Sequence, residues 1–264
     1  MPRAQWFLLI LFCGASVRTG ADAPIDLAWK LAQGDRFTVA IDVSSRASGG
    51  WTGVAFETTK SARLEGEVVV TELGTDRAKV TLELSRAVLH LVAGTFELDR
   101  ELGATDLAGK PIRGSLTSRG LLELDWGPAK KVLGKDVDRL RLEPLLAGLV
   151  GELPKKPVTF AEQWFVLGQG DLSLVQLVLE VTKVDGAREV RVSGQARAAK
   201  KTVRIGNVDA DVTVEGAASA TFDAERRHTR VWQDSYVVIA KVPQKKVVEQ
   251  HELRIERKAE ITRK

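Results

Sequence analysis

The chain holds three histidines, His90, His228 and His251, one cysteine, Cys13, and one tyrosine, Tyr236. Groups that exchange protons or bind metals near neutral pH are therefore few. His251 and Glu252 begin a zinc-peptidase pair, but Ile255 stands where the second histidine belongs and the segment alternates like a strand. His90, in a stretch apolar on both faces, reads as a hydrogen-bonded core residue, and His228, in the charged run Glu225–Arg230, reads as solvated. No Gly-x-Ser-x-Gly elbow occurs, and Gly168-Gln169-Gly170 lacks the third glycine of a dinucleotide loop. The sequence assigns no catalytic residue, no metal site and no cofactor.

The carboxylates are more numerous and less specific. Asp209 and Asp211, just after Asn207, offer oxygens suited to calcium, yet alternation with Val208, Ala210 and Val212 accounts for them as a wet strand face. Glu97, Asp99 and Glu101 have the residue types of paired-carboxylate glycosidase chemistry, with nothing to set an acid opposite a base. Basic residues such as Arg197, Lys200, Lys201, Arg226, Arg227, Lys245 and Lys246 are scattered among acids, not gathered in the one-sided stripe that nucleic acid requires. Their remaining electrostatic role is weak attraction for anionic envelope polymers or lipid headgroups. Trp29, Trp126, Trp164 and Trp232 lie in or beside alternating strands and read as core. Trp51, in Ser48-Gly-Gly-Trp-Thr-Gly53, sits at an expected hairpin tip and is the one ligand-binding candidate. There it can stack on a sugar, insert into a partner, or fold back over the sheet end.

The elements that must position these residues are mostly strands. With 264 residues, 44% of them hydrophobic and 28% charged, the composition is that of a globular protein and excludes disordered and collagen-like chains. Phe37, Val39, Ile41 and Val43 alternate with polar residues, as do Ala78, Val80, Leu82 and Leu84, and later Leu253, Ile255, Ala259 and Ile261. One dry and one wet face per strand predicts a mainly β, antiparallel twisted sheet or open barrel. A helical segment is expected at 128–150, from the spacing of Leu133, Val137 and Leu140 and the start signal at Pro144.

Around that segment the chain divides into residues 24–127, a connector at 128–154, and residues 155–264, with the two β halves joined as one domain. The halves resemble each other: Gly34–Phe37 matches Ala161–Trp164, Val70–Leu82 matches Val181–Val192, and Gly114–Asp125 matches Gly216–Arg227. Residues 1–23 read as a signal peptide: Arg3, an apolar run from Trp6 to Cys13 too short to span a bilayer, and cleavage frames after Ala21 and Ala23. Cleavage removes Cys13, and Phe12 before it argues against a lipid anchor there. The expected location is secreted or periplasmic, with no transmembrane segment and an undetermined oligomeric state.

Leu27-x-Trp-Lys-Leu-x-x-Gly-Asp35, Leu153-Pro-x-x-Pro-Val followed by Trp164, and Gly216 to Phe222-Asp223 are together similar to a group of uncharacterised secreted proteins of planctomycete-type bacteria. This chain departs from the group at Ala161-Glu162, where Gly-Asp is usual. The resemblance implies location and architecture, and at fold level a likeness to lipoprotein-carrier curved sheets. The functional expectation is a non-catalytic extracytoplasmic protein that binds a hydrophobic ligand or envelope partner, in an aliphatic cavity left between the sheet and the helix. The alternatives are a carboxylate hydrolase of glycans or esters and a structural cell-surface module.

Overall fold

The computed structural model describes residues 23–51, 54–125, 133, 151–168, 173–185, 188–205, 208–244 and 247–264. The signal segment, the Trp51 indole, Trp126, Gln169-Gly170 and Gly206-Asn207 lie outside the described residues, as does the expected helix apart from Leu133, which is helical and fully buried.

Alternation produces strands as expected. The first half contributes β1 (Arg36–Trp51), β2 (Val54–Leu73), β3 (Arg77–Ala93), β4 (Phe96–Leu102), β5 (Ile112–Thr117) and β6 (Leu122–Leu124), with a single helical turn, α1 (Ala104–Leu107), between β4 and β5. The second contributes β7 (Gln163–Leu167), β8 (Val175–Asp185), β9 (Glu189–Ala198), β10 (Thr202–Ile205), β11 (Val208–Asp223), β12 (His228–Gln244) and β13 (Val247–Arg263). All belong to one antiparallel sheet in the order β6-β5-β3-β2-β1-β13-β12-β11-β9-β8-β7, with β4 beside β3 and β10 beside β11. Each half is a meander. They meet where the first and last strands pair, from Phe37 opposite Arg263 to Ser48 opposite Glu252. The sheet does not close into a barrel.

One face carries the core: Phe37, Val39 and Ile41 on β1, Leu64 and Val68 on β2, Leu177 and Leu179 on β8, Phe222 on β11, Trp232 on β12 and Ile261 on β13 are all buried. At the middle of this face lies an ion pair. Arg257 donates through Nε and one terminal nitrogen to the two Asp234 oxygens, at 2.8 and 2.7 Å, and also to the Tyr236 hydroxyl. The Trp232 indole N–H donates to Asp234 at 2.7 Å. Burial pushes the Tyr236 hydroxyl far above its usual range, and the Asp234 carboxylate, outweighing burial, holds Arg257 charged.

The internal resemblance has a geometric counterpart. Gly34 and Ala161 both have left-handed backbones, at φ of 88° and 62°. The following acids, Asp35 and Glu162, each accept the backbone N–H three residues earlier, from Ala32 and Thr159. Gly34 and Ala161 then donate to the carbonyls of Val70 and Val181. Those valines are followed by matching irregularities in register, where the Thr71 and Thr182 hydroxyls donate to the carbonyls of Lys79 and Arg191. Gly120 and Arg227, which the sequence match does not align, also hold similar places, each with positive φ shortly before the next strand, β6 or β12.

Leu27–Asp35, the first motif of the sequence resemblance, runs outside the sheet as a strap. Ile25 pairs with Val158, Trp29 donates to the Ser118 carbonyl in one half, and Lys30 donates to the Arg227 carbonyl in the other. Arg227 returns bonds to the Ala28 carbonyl and the Asp26 carboxylate. The Ala28 N–H, foremost, with Arg227 holds the Asp26 carboxyl below its usual range.

Two stability measurements check this account. Ala161→Gly removes a left-handed alanine that costs about 1 kcal/mol, offset in part by glycine's flexibility, so the melting midpoint is expected to rise by about 1–2 °C. Ala218→Gly, in a buried strand position, is expected to lower it. Asp234→Asn strands the Arg257 charge and is expected to cost about 3–5 kcal/mol in urea unfolding. Asp234→Leu combined with Arg257→Met is expected to recover most of that loss.

Candidate functional site

His90 and His228 occupy places opposite to those the sequence suggests, whereas His251 lies on a strand, β13, as expected. A register irregularity around Ser85 shifts the phase of β3, so that Ala87, Leu89 and Leu91 continue the core and His90 turns to the wet face. Its Nδ1 lies 2.6 Å from Asp99 Oδ1 on β4. His228, expected in solvent, is only 2% exposed, because the strap folds over its turn. Its ring stands edge-on to Trp29, with centroids 5.9 Å apart, and lies 6.0 Å from the ring of Phe37. Neither ring nitrogen makes a hydrogen bond of normal geometry. Burial, only partly offset by the Asp223 carboxylate and the Arg226 and Ile261 backbone, holds its pKa below the usual imidazole value, and Arg263 adds to the depression.

On the wet face, Ser61 on β2, His90 on β3 and Asp99 on β4 are direct cross-strand neighbours. The residue types are those of a serine nucleophile, its base and the base's orienting acid. Among the described residues, the setting lacks the rest of an acyl-transfer centre. β2 and β3 are paired on both sides here, so their backbone N–H groups belong to ladders and supply no oxyanion donors. His90, Glu97 and Asp99 also bring three donor atoms within 4.8 Å of one another, but both carboxylates are exposed and Asp99 already engages His90. Glu97, Asp99 and Glu101 share one strand of an open face, where none can stand across a cleft from another. Asp209 and Asp211 are exposed on β11.

Of the four tryptophans expected in the core, the three that are described, Trp29, Trp164 and Trp232, are buried. The apolar space that Trp29 and Phe37 help to enclose is about 20 Å³, the room of one water and not of a hydrocarbon chain.

Trp51 ends β1 opposite Val54, at the tip of a hairpin. The β12–β13 hairpin, whose last rung joins Gln244 to Val247, extends beside it past the final β1–β13 rung at Ser48 and Glu252. The two tips therefore lie at one end of the sheet. Val54, Phe56, Val247 and Val248 are 68, 42, 64 and 61% exposed there, and the Phe56 ring lies 5.9 Å from that of His251. Sequence reading found Trp51 but missed the second tip, because only the strand order brings the hairpins together.

No family model and no curated protein matches this chain, so the planctomycete-type resemblance stands on its motifs alone. The solved structures that this chain matches include the following two. One is lipovitellin, in a study of its lipid–protein interactions, at 12% identity and a TM-score of 0.49, over 89% of this chain and 25% of that one. This chain thus spans about a quarter of the lipovitellin chain. The other is an outer membrane channel from Pseudomonas putida F1, at 8% identity and a TM-score of 0.26, over 91% of this chain and 99% of that one. Neither likeness bears on function at that identity and score.

The buried imidazole sets a pH dependence. Since the folded pKa of His228 lies below the unfolded value of about 6.5, the unfolded chain binds the proton first as pH falls. Stability is therefore full above that value and falls below it, by up to about 1.4 kcal/mol per pH unit until the folded pKa is reached. Urea midpoints between pH 8 and 5 are expected to drop for the wild type and to drop less for His228→Phe.

Proposed function

We propose that the protein is a non-catalytic, extracytoplasmic binding protein that docks on the lipid surface of the cell envelope through its paired hairpin tips. The observation that carries this reading is the coincidence of Val54, Phe56, Val247 and Val248 at one end of the sheet, all exposed, beside the position of Trp51. Isolated exposed apolar residues are ordinary, whereas a group on neighbouring projecting tips is costly in water unless something covers it. Tryptophan suits the boundary between headgroup and hydrocarbon. The sequence also sets Lys245 and Lys246 in the two-residue connection between Gln244 and Val247, which favours an anionic surface. Trp51 is the anchoring residue in this reading, and the expected export signal supplies the compartment. The incomplete surroundings of Ser61, His90 and Asp99 support the non-catalytic part.

Flotation with vesicles of phosphatidylethanolamine and phosphatidylglycerol tests the docking. Wild-type protein is expected to float with them, less so in high salt, and Trp51→Ser with Phe56→Ser is expected to reduce the bound fraction several-fold while leaving the melting midpoint near wild type. Wild-type protein that stays in the soluble fraction at low salt would end this reading.

A further inference from the structure

The wet face of the sheet is not uniform. Across β8, β9, β11 and β12 it sinks into a depression of about 680 Å³, and across β12, β13, β1 and β2 into another of about 550 Å³. Both are lined by Gln233 and Ser235, so they form one trough that runs across the strands. Cross-strand register gives its course. One row passes from Gln163 through Glu180, Ser193 and Ser219 to Gln233, and a parallel row passes from Gln195 through Ala217 and Ser235 to Glu256, Ser44 and Ser61. From β7 to β2 this crosses eight strands, roughly 30 Å at the usual strand spacing.

Beneath the trough, toward the core face, neighbouring backbones approach closely. A Cβ on Gly194 would stand 2.3 Å from the Val178 carbonyl oxygen, and one on Gly216 would stand 2.1 Å from that of Ser235. Glycine is required at both positions to bring these strands together. Short side chains at Ser193, Ala217, Ser219 and Ser235 then leave the floor open, while glutamines and charged residues stand higher around it.

We propose that this trough binds an extended, neutral oligosaccharide. Serine hydroxyls and glutamine amides both donate and accept hydrogen bonds, as sugar hydroxyls do. Glu180, Glu256 and Asp42 repel a polyanion, and the nearby cations are already engaged, Arg63 by Glu65 and Lys258 by Glu260. A hydrocarbon chain meets serine hydroxyls, glutamine amides and carboxylates between Val178, Ala217 and Val88, and so finds no continuous apolar floor. An extended peptide binds a sheet most readily through free backbone groups at an edge, and the strands beneath the trough's centre are paired on both sides. The proposal is independent of lipid docking, since the tips lie at the sheet's end and the trough crosses its opposite face.

Titration of ¹⁵N-labelled protein with cellohexaose, chitohexaose and hexagalacturonate tests it. At least one neutral hexaose is expected to shift the amide signals of Ser193, Ser219 and Ser235, and hexagalacturonate is expected to leave them in place. Ser219→Trp combined with Ser235→Trp, which fills the trough from the exposed side, is expected to weaken neutral binding at least tenfold with an unchanged fold by circular dichroism. Phe56→Ser is expected to leave sugar binding intact, which separates this site from the membrane-docking surface. The proposal is overturned if neither neutral hexaose shifts those signals at millimolar concentration, if hexagalacturonate binds equally well, or if a polar hexapeptide shifts them while the sugars do not. Should the double tryptophan variant misfold, the wild-type signals alone decide the outcome.

Discussion

The pairing of the first strand with the last is the constraint on which the rest of this protein depends. β1 and β13 are joined over the rungs from Phe37–Arg263 to Ser48–Glu252, and this ladder makes two meanders into one sheet. It closes a loop running from Phe37 to Arg263, so forming it costs more chain entropy than closing a local hairpin. The strap adds a second tie between the halves, from the Ser118 carbonyl to the Arg227 carbonyl, and Arg263 links it to β13 through the Lys30 carbonyl and Asp35. Both proposed surfaces inherit their geometry from this ladder: it sets the hairpin tips side by side, and it carries the trough's rows from one half into the other.

The two faces do different work because their side chains differ in kind. The inner face is filled with aliphatic and aromatic groups and interrupted by one charged unit, Asp234–Arg257, whose lone pairs and protons are taken up by each other, Trp232 and Tyr236. A pair so enclosed contributes little net stability over an apolar replacement, but it penalises any register that separates the two charges. The outer face has short polar residues where the strands approach closely and longer charged ones around them.

Local geometry repeats between the halves more faithfully than residue identity does. The left-handed turn uses glycine at 34 and alanine at 161, glycine at 120 and arginine at 227. At 227 the strained backbone is kept alongside a specific gain, since that guanidinium grips Ala28 and Asp26 in the strap. At 161 no comparable contact offsets the alanine. Ala161-Glu162 thus differs from Gly34-Asp35 in residue type and not in backbone conformation.

Period-two alternation, turn residues and the Val-Thr repeat are properties of short segments, so the sequence alone determined the mainly β class, the buried face of most strands, the burial of Trp29, Trp164 and Trp232, and the hairpin-tip position of Trp51. It misplaced two histidines. One extra residue in β3 reverses the phase of everything after it and turns His90 outward, and a strap from the far end of the chain buries His228, which its charged neighbours had marked as solvated. Strand order was equally beyond local reading, because every amphipathic strand offers the same hydrogen-bonding edges, and only the packing of the whole sheet selects which edges meet. Tertiary structure therefore decided the union of β1 with β13, the meeting of the two apolar tips and the course of the polar trough. Each depends on residues far apart in the chain, where sequence periodicity carries no information about which strand becomes whose neighbour.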